Sequence, residues 1–439
     1  MIKVITYGTY DCLHYGHINL LQRAKALGDY LIVGVTSEDF DKSRGKINVR
    51  QSLTERIEAV RKTGLADQII VEEYPGQKID DIQRYGVDIF TVGSDWKGHF
   101  DYLNEYCQVI YLPRTEGISS TQLRAQESKI KLGIVGEDTS YVKKFISESK
   151  FVNGLEYAGR YSHEADGNVA FSAYEDLLNQ VDAVYIASKP KNHFEDIRKA
   201  LLAGKHVICE APMSLKKTDS EKLFALAAEK HVVLMEAIKT AYSLAFNRML
   251  LLLKGGVIGK IVSVDATCTS LNDAIVEKNG RILNNGSMAA WGPTALLAVF
   301  KILGTEYKDE LLVSKFNKTF DTFDNIHLIY DGAVANIKVG KGMKSEGELV
   351  ISGEKGYIYV PAPWWKTNYF EVRFENANDN QRYFYQLKGE GIRNMIVDFV
   401  KEVCDQNGSH NKISHEITTA IAEMMENFED RKNVRILEF

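Results

Sequence analysis

The sequence predicts an α/β protein made of two doubly wound, parallel-sheet parts followed by an α+β part with a mostly antiparallel sheet. Three observations predict it. Short apolar runs alternate with amphipathic stretches over residues 1–125, a second first-strand pattern begins at residue 130, and alternating strand patterns dominate from about residue 255.

The elements follow in order. KVITYG (3–8) reads as a buried strand, and HINLLQRAKALG (17–28) as an amphipathic helix stopped by glycine. YLIVGVTS (30–37) is a second strand, and SLTERIEAVRKTG (52–64) a helix opened by a Ser52/Glu55 capping box and closed by Gly64. QIIVEE, VDIFTVG and QVIYLP supply three more strands. These runs are apolar on both faces, as in a parallel sheet covered on both sides. IKLGIVG (130–136) starts the second part, and VDAVYIAS, HFEDIRKALLAGK and HVICEAP (181–212) continue it as strand, helix, strand. The strands KIVSVDATCTS, NIHLIYDGAVANIKVG, GELVISGEKGYIYVPA and YFEVRFEN then build the last part, closed by a helix near 414–430. The expected domains are 1–128, 129–250 and 251–439, with the first boundary in the polar segment AQESK.

A chain of 439 residues, 45% hydrophobic and 26% charged, has ample material for several cores. A net charge of −5 gives no nucleic-acid footprint. The five scattered cysteines form no CxxC pair, which suits reduced thiols and a cytoplasmic location. No apolar run is long enough to cross a membrane, and the N-terminus enters a strand without a signal-like segment.

The segment GTYDCLHYGH (8–17) places His14 and His17 three residues apart where a strand gives way to a helix, with Gly16 leaving the backbone open. A helix N-terminus there suits phosphate, and both imidazoles could donate to it. Two ordinary histidines, one of them in the core, would also fit this spacing. DKSRGKINVR (41–50) is either a solvated basic loop or a phosphate-facing one. VGSDWKG (92–98) ends a strand and reads as a turn or a ligand-side loop. PRTEGISSTQLR (113–124) combines Arg114 with hydroxyls before a helix, an arrangement that caps the helix and can bind phosphate.

Together, GTYDCLHYGH, VGSDWKG and LPRTEGISST resemble the cytidylyltransferases of the HxGH nucleotidyltransferase superfamily, of the glycerol-3-phosphate type, over residues 1–125. The resemblance implies a Rossmann-like domain that converts CTP and glycerol 3-phosphate to CDP-glycerol and diphosphate, with Mg²⁺. It implies that His14, His17, Lys46 and Arg114 stabilise the phosphates during transfer. Thr9, Tyr10, Gly16, Asp95, Thr115, Gly117, Ser119, Ser120 and Thr121 would complete the CTP site. Arg44 and Lys78 fall where the acceptor alditol phosphate binds, and Asp11 where a carboxylate could meet Mg²⁺ carried by CTP. The chemistry agrees: the nucleophile is already an anionic phosphate, so catalysis needs positioning and charge stabilisation rather than a general base. The product would supply a teichoic-acid-like or capsular polymer.

Residues 130–439 resemble the Gfo/Idh/MocA oxidoreductases, most closely in DAVYIASKPKNHFEDIRKALLAGKHVICEAPMSL (182–215). That family binds NAD(P) on a glycine-rich turn. Here Gly136 is kept, but Asp138 and Tyr141 stand at the next two glycine positions, and Arg160 lies where an acidic residue would hold the ribose. Glu210-Ala211-Pro212 lacks the family's lysine, and Ala290 and Thr294 replace its later Asp and His. The expectation is a non-catalytic module for oligomerisation or scaffolding, with no NAD(P) chemistry. Two alternatives stay open. One is a reductase using Lys239, Tyr242 or His193 to make the polyol phosphate that the first domain activates. The other is a nucleotide- or sugar-sensing module. Both resemblances imply a homodimer or higher assembly.

Overall fold

A computed structural model describes residues 1–43, 49, 51–74, 76–113, 129–164, 169–271, 286–317, 320–385, 387–404 and 410–438. Arg44, Lys46, Arg114, Thr115, Gly117, Ser119, Ser120 and Thr121 lie outside these residues. The chain divides into two compact units, 1–129 with 151–154, and 130–150 with 155–439.

The first unit is built on a parallel sheet of β1 (Lys3–Gly8), β2 (Tyr30–Thr36), β3 (Gln68–Glu72), β4 (Ile89–Gly93) and β5 (Gln108–Leu112). Its order is β3-β2-β1-β4-β5, so the winding reverses beside β1. A crevice opens at the carboxyl ends of the strands at such a reversal. Helices α1 (Tyr15–Lys25), α2 (Glu38–Ser43), α3 (Leu53–Lys62) and α4 (Gln77–Tyr85) lie between the strands in sequence. Successive β-strand residues point to opposite faces. Val4, Leu31, Val33 and Val35 therefore join one core and Ile5, Tyr7, Ile32 and Phe90 another. The Ser52 capping box forms as expected: the Ser52 Oγ accepts from the Glu55 N–H, and Glu55 accepts from the Ser52 N–H at 2.7 Å.

The second unit begins with a parallel sheet of β6 (Ile130–Gly136), β7 (Leu155–Tyr161), β8 (Ala183–Ala187), β9 (His206–Glu210) and β10 (Leu234–Ala237), ordered β10-β9-β8-β6-β7. Its helices are α5 (Ser140–Ser149), α6 (Tyr174–Leu178), α7 (Pro190–Leu202), α8 (Lys217–Glu229) and α9 (Leu244–Lys254). A nine-stranded sheet follows, formed by β11 (Ile261–Ser270), β12 (Asp309–Phe316), β13 (Asp321–Tyr330), β14 (Ala333–Lys341), β15 (Leu349–Gly353), β16 (Tyr357–Val360), β17 (Tyr369–Arg373), β18 (Gln381–Phe384) and β19 (Val434–Ile436). It is mostly antiparallel, as expected, except that β11 pairs parallel with β14 and β12 with β19. Helix α10 (Ser287–Leu303) is apolar on nearly every face and packs on β11, β13 and β14. Two helices, α11 (Ile392–Cys404) and α12 (His415–Glu429), stand near the C-terminus, where the sequence pattern had suggested one.

Candidate active site

In the first unit, the loop after β1 delivers the GTYDCLHYGH motif to the reversal point. Its backbone is unusual: Tyr10 and Cys12 are non-glycine residues with φ of 53° and 46°. Left-handed backbone costs an L-residue roughly 1–2 kcal/mol, so neighbours must hold it there. Arg56, fully buried in α3, is the main holder. Its Nη1 donates to the Thr9 and Thr36 carbonyls at 2.8 Å each, and its Nε to the Gln51 carbonyl at 3.0 Å. The charge is balanced by Asp41, equally buried, at 3.7 Å. Asp41 also accepts from the Thr9 hydroxyl at 2.9 Å. On the outer side, Gln51 Oε1 accepts the Cys12 N–H at 2.8 Å, and Asp11 Oδ1 accepts the Gln51 N–H at 3.1 Å.

His14 is the N-cap of α1. Its Nδ1 accepts the Gly16 N–H at 3.1 Å, and His17 Nδ1 faces the His14 N–H at 3.5 Å, a capping box made of two imidazoles. An Nδ1 that accepts leaves the proton of a neutral ring on Nε2. Both rings thus present Nε2–H donors from the helix N-terminus. They stack with centroids 4.0 Å apart, and the Tyr10 ring meets His17 edge-on at 5.6 Å. Two stacked imidazoles at a helix N-terminus are an arrangement suited to an anion of phosphate type.

The other described positions fall around this crevice. Asp95 is exposed in a short turn directly after β4. Lys78, in the first turn of α4, is nearly buried: its amine pairs with Glu72 and lies 4.5 Å from the Tyr7 ring centroid. Glu72 also accepts from Thr36 at 2.9 Å, and Tyr7 donates to Asp81 at 2.8 Å. This polar cluster stands at the carboxyl ends of β1, β2 and β3, the ligand side of the sheet. Among the described residues no group of three or more His, Cys, Asp or Glu could hold a metal. Asp11, expected from the sequence to meet a metal carried by the nucleotide, is buried and accepts the Gln51 N–H. Arg56 was not among the sequence candidates, yet the signal existed. Leu53, Ile57 and Val60 mark the apolar stripe of α3, and Arg56 falls within it.

In the second unit, a turn joins β6 to α5. Asp138 pairs with Lys143 at 3.1 Å, and the Thr139 hydroxyl caps the helix by accepting the Val142 N–H at 3.2 Å. Arg160 is buried and donates to the Gly136 carbonyl at 2.8 Å, so it is turned inward. Glu137 and Asp138 follow Gly136 in this turn, where the family pattern has further glycines.

A cavity of about 320 Å³ lies farther along the same unit, lined in part by Tyr141, Glu210, Lys239, Trp291, Trp365 and Lys366. Ala211, Ala290 and Thr294 line it too, so the positions that lack the expected family residues do converge. Tyr141, Glu210 and Lys239 gather beside them, and of these the sequence pointed to Lys239 as a reductase candidate. Burial pushes the Glu210 carboxyl up to about 7, although Tyr185, Lys239 and Tyr141 pull it down. Of the three residues considered for a reductase, only Lys239 lines this cavity. Tyr242 is buried and donates to Asn411 at 3.0 Å. His193 is buried with its ring nitrogens 2.9 Å and 2.8 Å from the Pro212 and Ser188 carbonyls, a core position.

Comparison with known proteins gives two matches. The Cytidylyltransferase-like family matches residues 5–126, and the oxidoreductase family with an NAD-binding Rossmann fold matches residues 142–238. The glycerol-3-phosphate cytidylyltransferase of Bacillus spizizenii is 52% identical over 124 residues, covering 28% of this chain and 95% of that protein. The scyllo-inositol 2-dehydrogenase (NADP(+)) IolU of Bacillus subtilis is 26% identical over 234 residues, covering 51% of this chain and 71% of that protein. In solved structures, KijD10, a 3-ketoreductase from Actinomadura kijaniata in complex with NADP and TDP-benzene, superposes with a TM-score of 0.61 at 20% identity, covering 71% of this chain and 99% of that one. At this identity the likeness shows the fold of the second unit. No described helix is long and apolar enough to cross a membrane.

Proposed function

The chain belongs, through residues 5–126, to the glycerol-3-phosphate cytidylyltransferase family, and from that premise we propose that it converts CTP and glycerol 3-phosphate to CDP-glycerol and diphosphate. A phosphate oxygen of glycerol 3-phosphate attacks the α-phosphorus of CTP. The bond between the α-phosphorus and its bridging oxygen breaks, and diphosphate leaves with the electron pair. The paired Nε2–H donors of His14 and His17 carry this reading, because they face charge that grows on the phosphates during transfer. Lys46 and Arg114 add positive charge to the same phosphates. Thr9, Tyr10, Gly16, Asp95, Thr115, Gly117, Ser119, Ser120 and Thr121 hold CTP, with Mg²⁺ bound to its phosphates and Asp11 nearby. Arg44 and Lys78 receive the acceptor. The product feeds a glycerol-phosphate polymer of the teichoic-acid or capsular kind.

The second unit is read as a scaffold that brings copies of the chain together, in a homodimer or larger assembly, without dinucleotide redox chemistry. The carboxylates of its first turn support this. A reductive second reading has one observation in its favour, the gathering of Tyr141, Glu210 and Lys239 around one cavity.

The test incubates the full chain with CTP, Mg²⁺ and a panel of alditol phosphates, with and without NADPH and the matching keto or aldose phosphates. Diphosphate release and nicotinamide absorbance are followed together. Diphosphate with glycerol 3-phosphate and unchanged absorbance is the expected result. No release with any acceptor would overturn the transferase reading. Nicotinamide oxidation followed by diphosphate release would establish the reductive one.

A further inference from the structure

The cavity of the second unit carries a charge pattern that a retired redox site does not require. Lys144, Lys239 and Lys366 all pair with one carboxylate, Glu390. The Lys239 and Lys366 ammonium groups lie 3.0 Å and 2.9 Å from the same Glu390 oxygen. Three ammonium groups thus gather on one carboxylate, and two of them, Lys239 and Lys366, line the cavity. Lys239 is largely out of solvent, with 14% of its side chain exposed, so water screens its ammonium group poorly.

Glu390 reaches the lysines from a strained backbone. Gly389, Glu390 and Gly391 run in succession with φ of 62°, 54° and 85°. Only the two glycines adopt that conformation freely. Burial would raise the Glu390 carboxyl, yet hydrogen bonds from the three lysines hold it down at about 2. The chain has placed a permanent anion where the lysines demand one. The cavity also has an apolar wall, Trp291 and Trp365, with ring centroids 4.9 Å apart and ring planes inclined at 56°. Glu210, bonded to Tyr185, adds a carboxyl to the lining.

We propose that this cavity binds a small polyol phosphate, whose dianionic phosphate displaces Glu390 from Lys144, Lys239 and Lys366 while the polyol lies along Trp291 and Trp365 and bonds Glu210. A dianionic phosphate sets two negative charges against the three ammonium groups, where Glu390 sets one. The C–H face of a short polyol suits an indole wall, and its hydroxyls suit a carboxyl that can donate or accept. Glu390 acts as the internal counter-ion of the empty site.

Tryptophan fluorescence tests this without interference from the first unit. The chain has four tryptophans. Trp291 and Trp365 line the cavity, Trp364 packs against Trp365, and only Trp96 lies in the first unit. In the full-length Trp96→Phe variant, the signal reports the second unit alone. Glycerol 3-phosphate, inorganic phosphate and glycerol are the probes; choosing this ester rests on the acceptor proposed above, whereas the site itself does not. The expected result is a saturable change with glycerol 3-phosphate, at least about tenfold weaker binding of phosphate, and no response to glycerol. Glu390→Gln should tighten the ester about tenfold, and Lys366→Gln should weaken it about tenfold. Melting temperatures confirm folding, and Lys144→Gln replaces Lys366→Gln if that variant unfolds.

No response to the ester, or a response unmoved by the Glu390 and lysine variants, would overturn the proposal. Equal affinity for phosphate or glycerol would overturn the polyol phosphate assignment. Diphosphate release is measured separately on the parent chain, so the two readings fail separately: a lost fluorescence response with intact diphosphate release sinks only this one.

Discussion

His14 and His17 each turn Nδ1 toward a backbone N–H at the start of α1. Because Nδ1 is occupied by a backbone N–H in both rings, the tautomer is set by the helix cap rather than by a ligand. The donors are in place before CTP arrives, which removes part of the reorganisation that charge stabilisation otherwise needs. His14→Ala and His17→Ala should each lower kcat by about 10²–10³. The decisive variant is His14→Asn, since asparagine is a good N-cap but offers no donor at the Nε2 position. Its melting temperature should match the parent while the loss of kcat persists. Recovered turnover with asparagine would mean that His14 serves only the helix. The pairing of His14 and His17 was readable from the sequence as a spacing, but the imidazole-on-imidazole cap was not, because it depends on side-chain rotamers at one helix end.

Helix α3 shows how an element well away from the motif decides the motif's shape. Its Ser52/Glu55 cap and its apolar stripe were both legible, and both form. Arg56 inside that stripe carries the structural consequence. It ties the carbonyls of Thr9 and Thr36 to a buried carboxylate, so the loop after β1 and the end of β2 move together. Arg56→Met keeps the volume and removes the charge, leaving Asp41 buried without its guanidinium partner. Loss of one member of a buried pair costs about 3–5 kcal/mol. The expected outcome is a lower denaturation midpoint and a raised KM for CTP at a temperature where the variant is still folded. An unchanged KM would show that Arg56 supports the fold without shaping the nucleotide site. Periodicity alone reads Arg56 as an intruder on an apolar face. Only the crossing of three segments in space shows what it holds.

The molecule as a whole contains buried carboxyls whose protonation is linked to folding. Burial pushes Glu236 up to about 7, partly offset by the Met213 N–H it accepts at 2.9 Å. Glu210 is pushed to the same region, and burial together with Asp321 pushes Asp324 up to about 9. A carboxyl raised in the folded state holds its proton when the unfolded chain has already lost it. Its favourable contribution is therefore complete below about pH 4.5 and is lost as pH rises through about 7. The histidines His193, His206 and His415 are shifted down by desolvation and work in the opposite direction. A difference between parent and variant removes their contribution. Glu236→Gln keeps the acceptor for Met213 and abolishes the titration. Its melting temperature should exceed the parent's at about pH 8 and approach it at about pH 5, with a ceiling near 1.4 kcal/mol per pH unit. A constant offset between parent and variant across that range would contradict the linkage.

Local pattern was sufficient for the five strands of the first sheet with α1 and α3, and for β6, β8, α7 and β9 of the second, because apolar period, caps and glycine stops act over a few residues and each names its own element. It was also sufficient for the transferase motif, whose residues are adjacent in the chain. Tertiary structure alone decided the parallel pairing of β11 with β14, the role of Arg56, and the cluster of Lys144, Lys239, Lys366 and Glu390. Those four residues are drawn from 247 positions of sequence, from 144 to 390. No local propensity links them, and they meet only because the packing of the second unit brings their backbones together and the shared charge then has to be balanced.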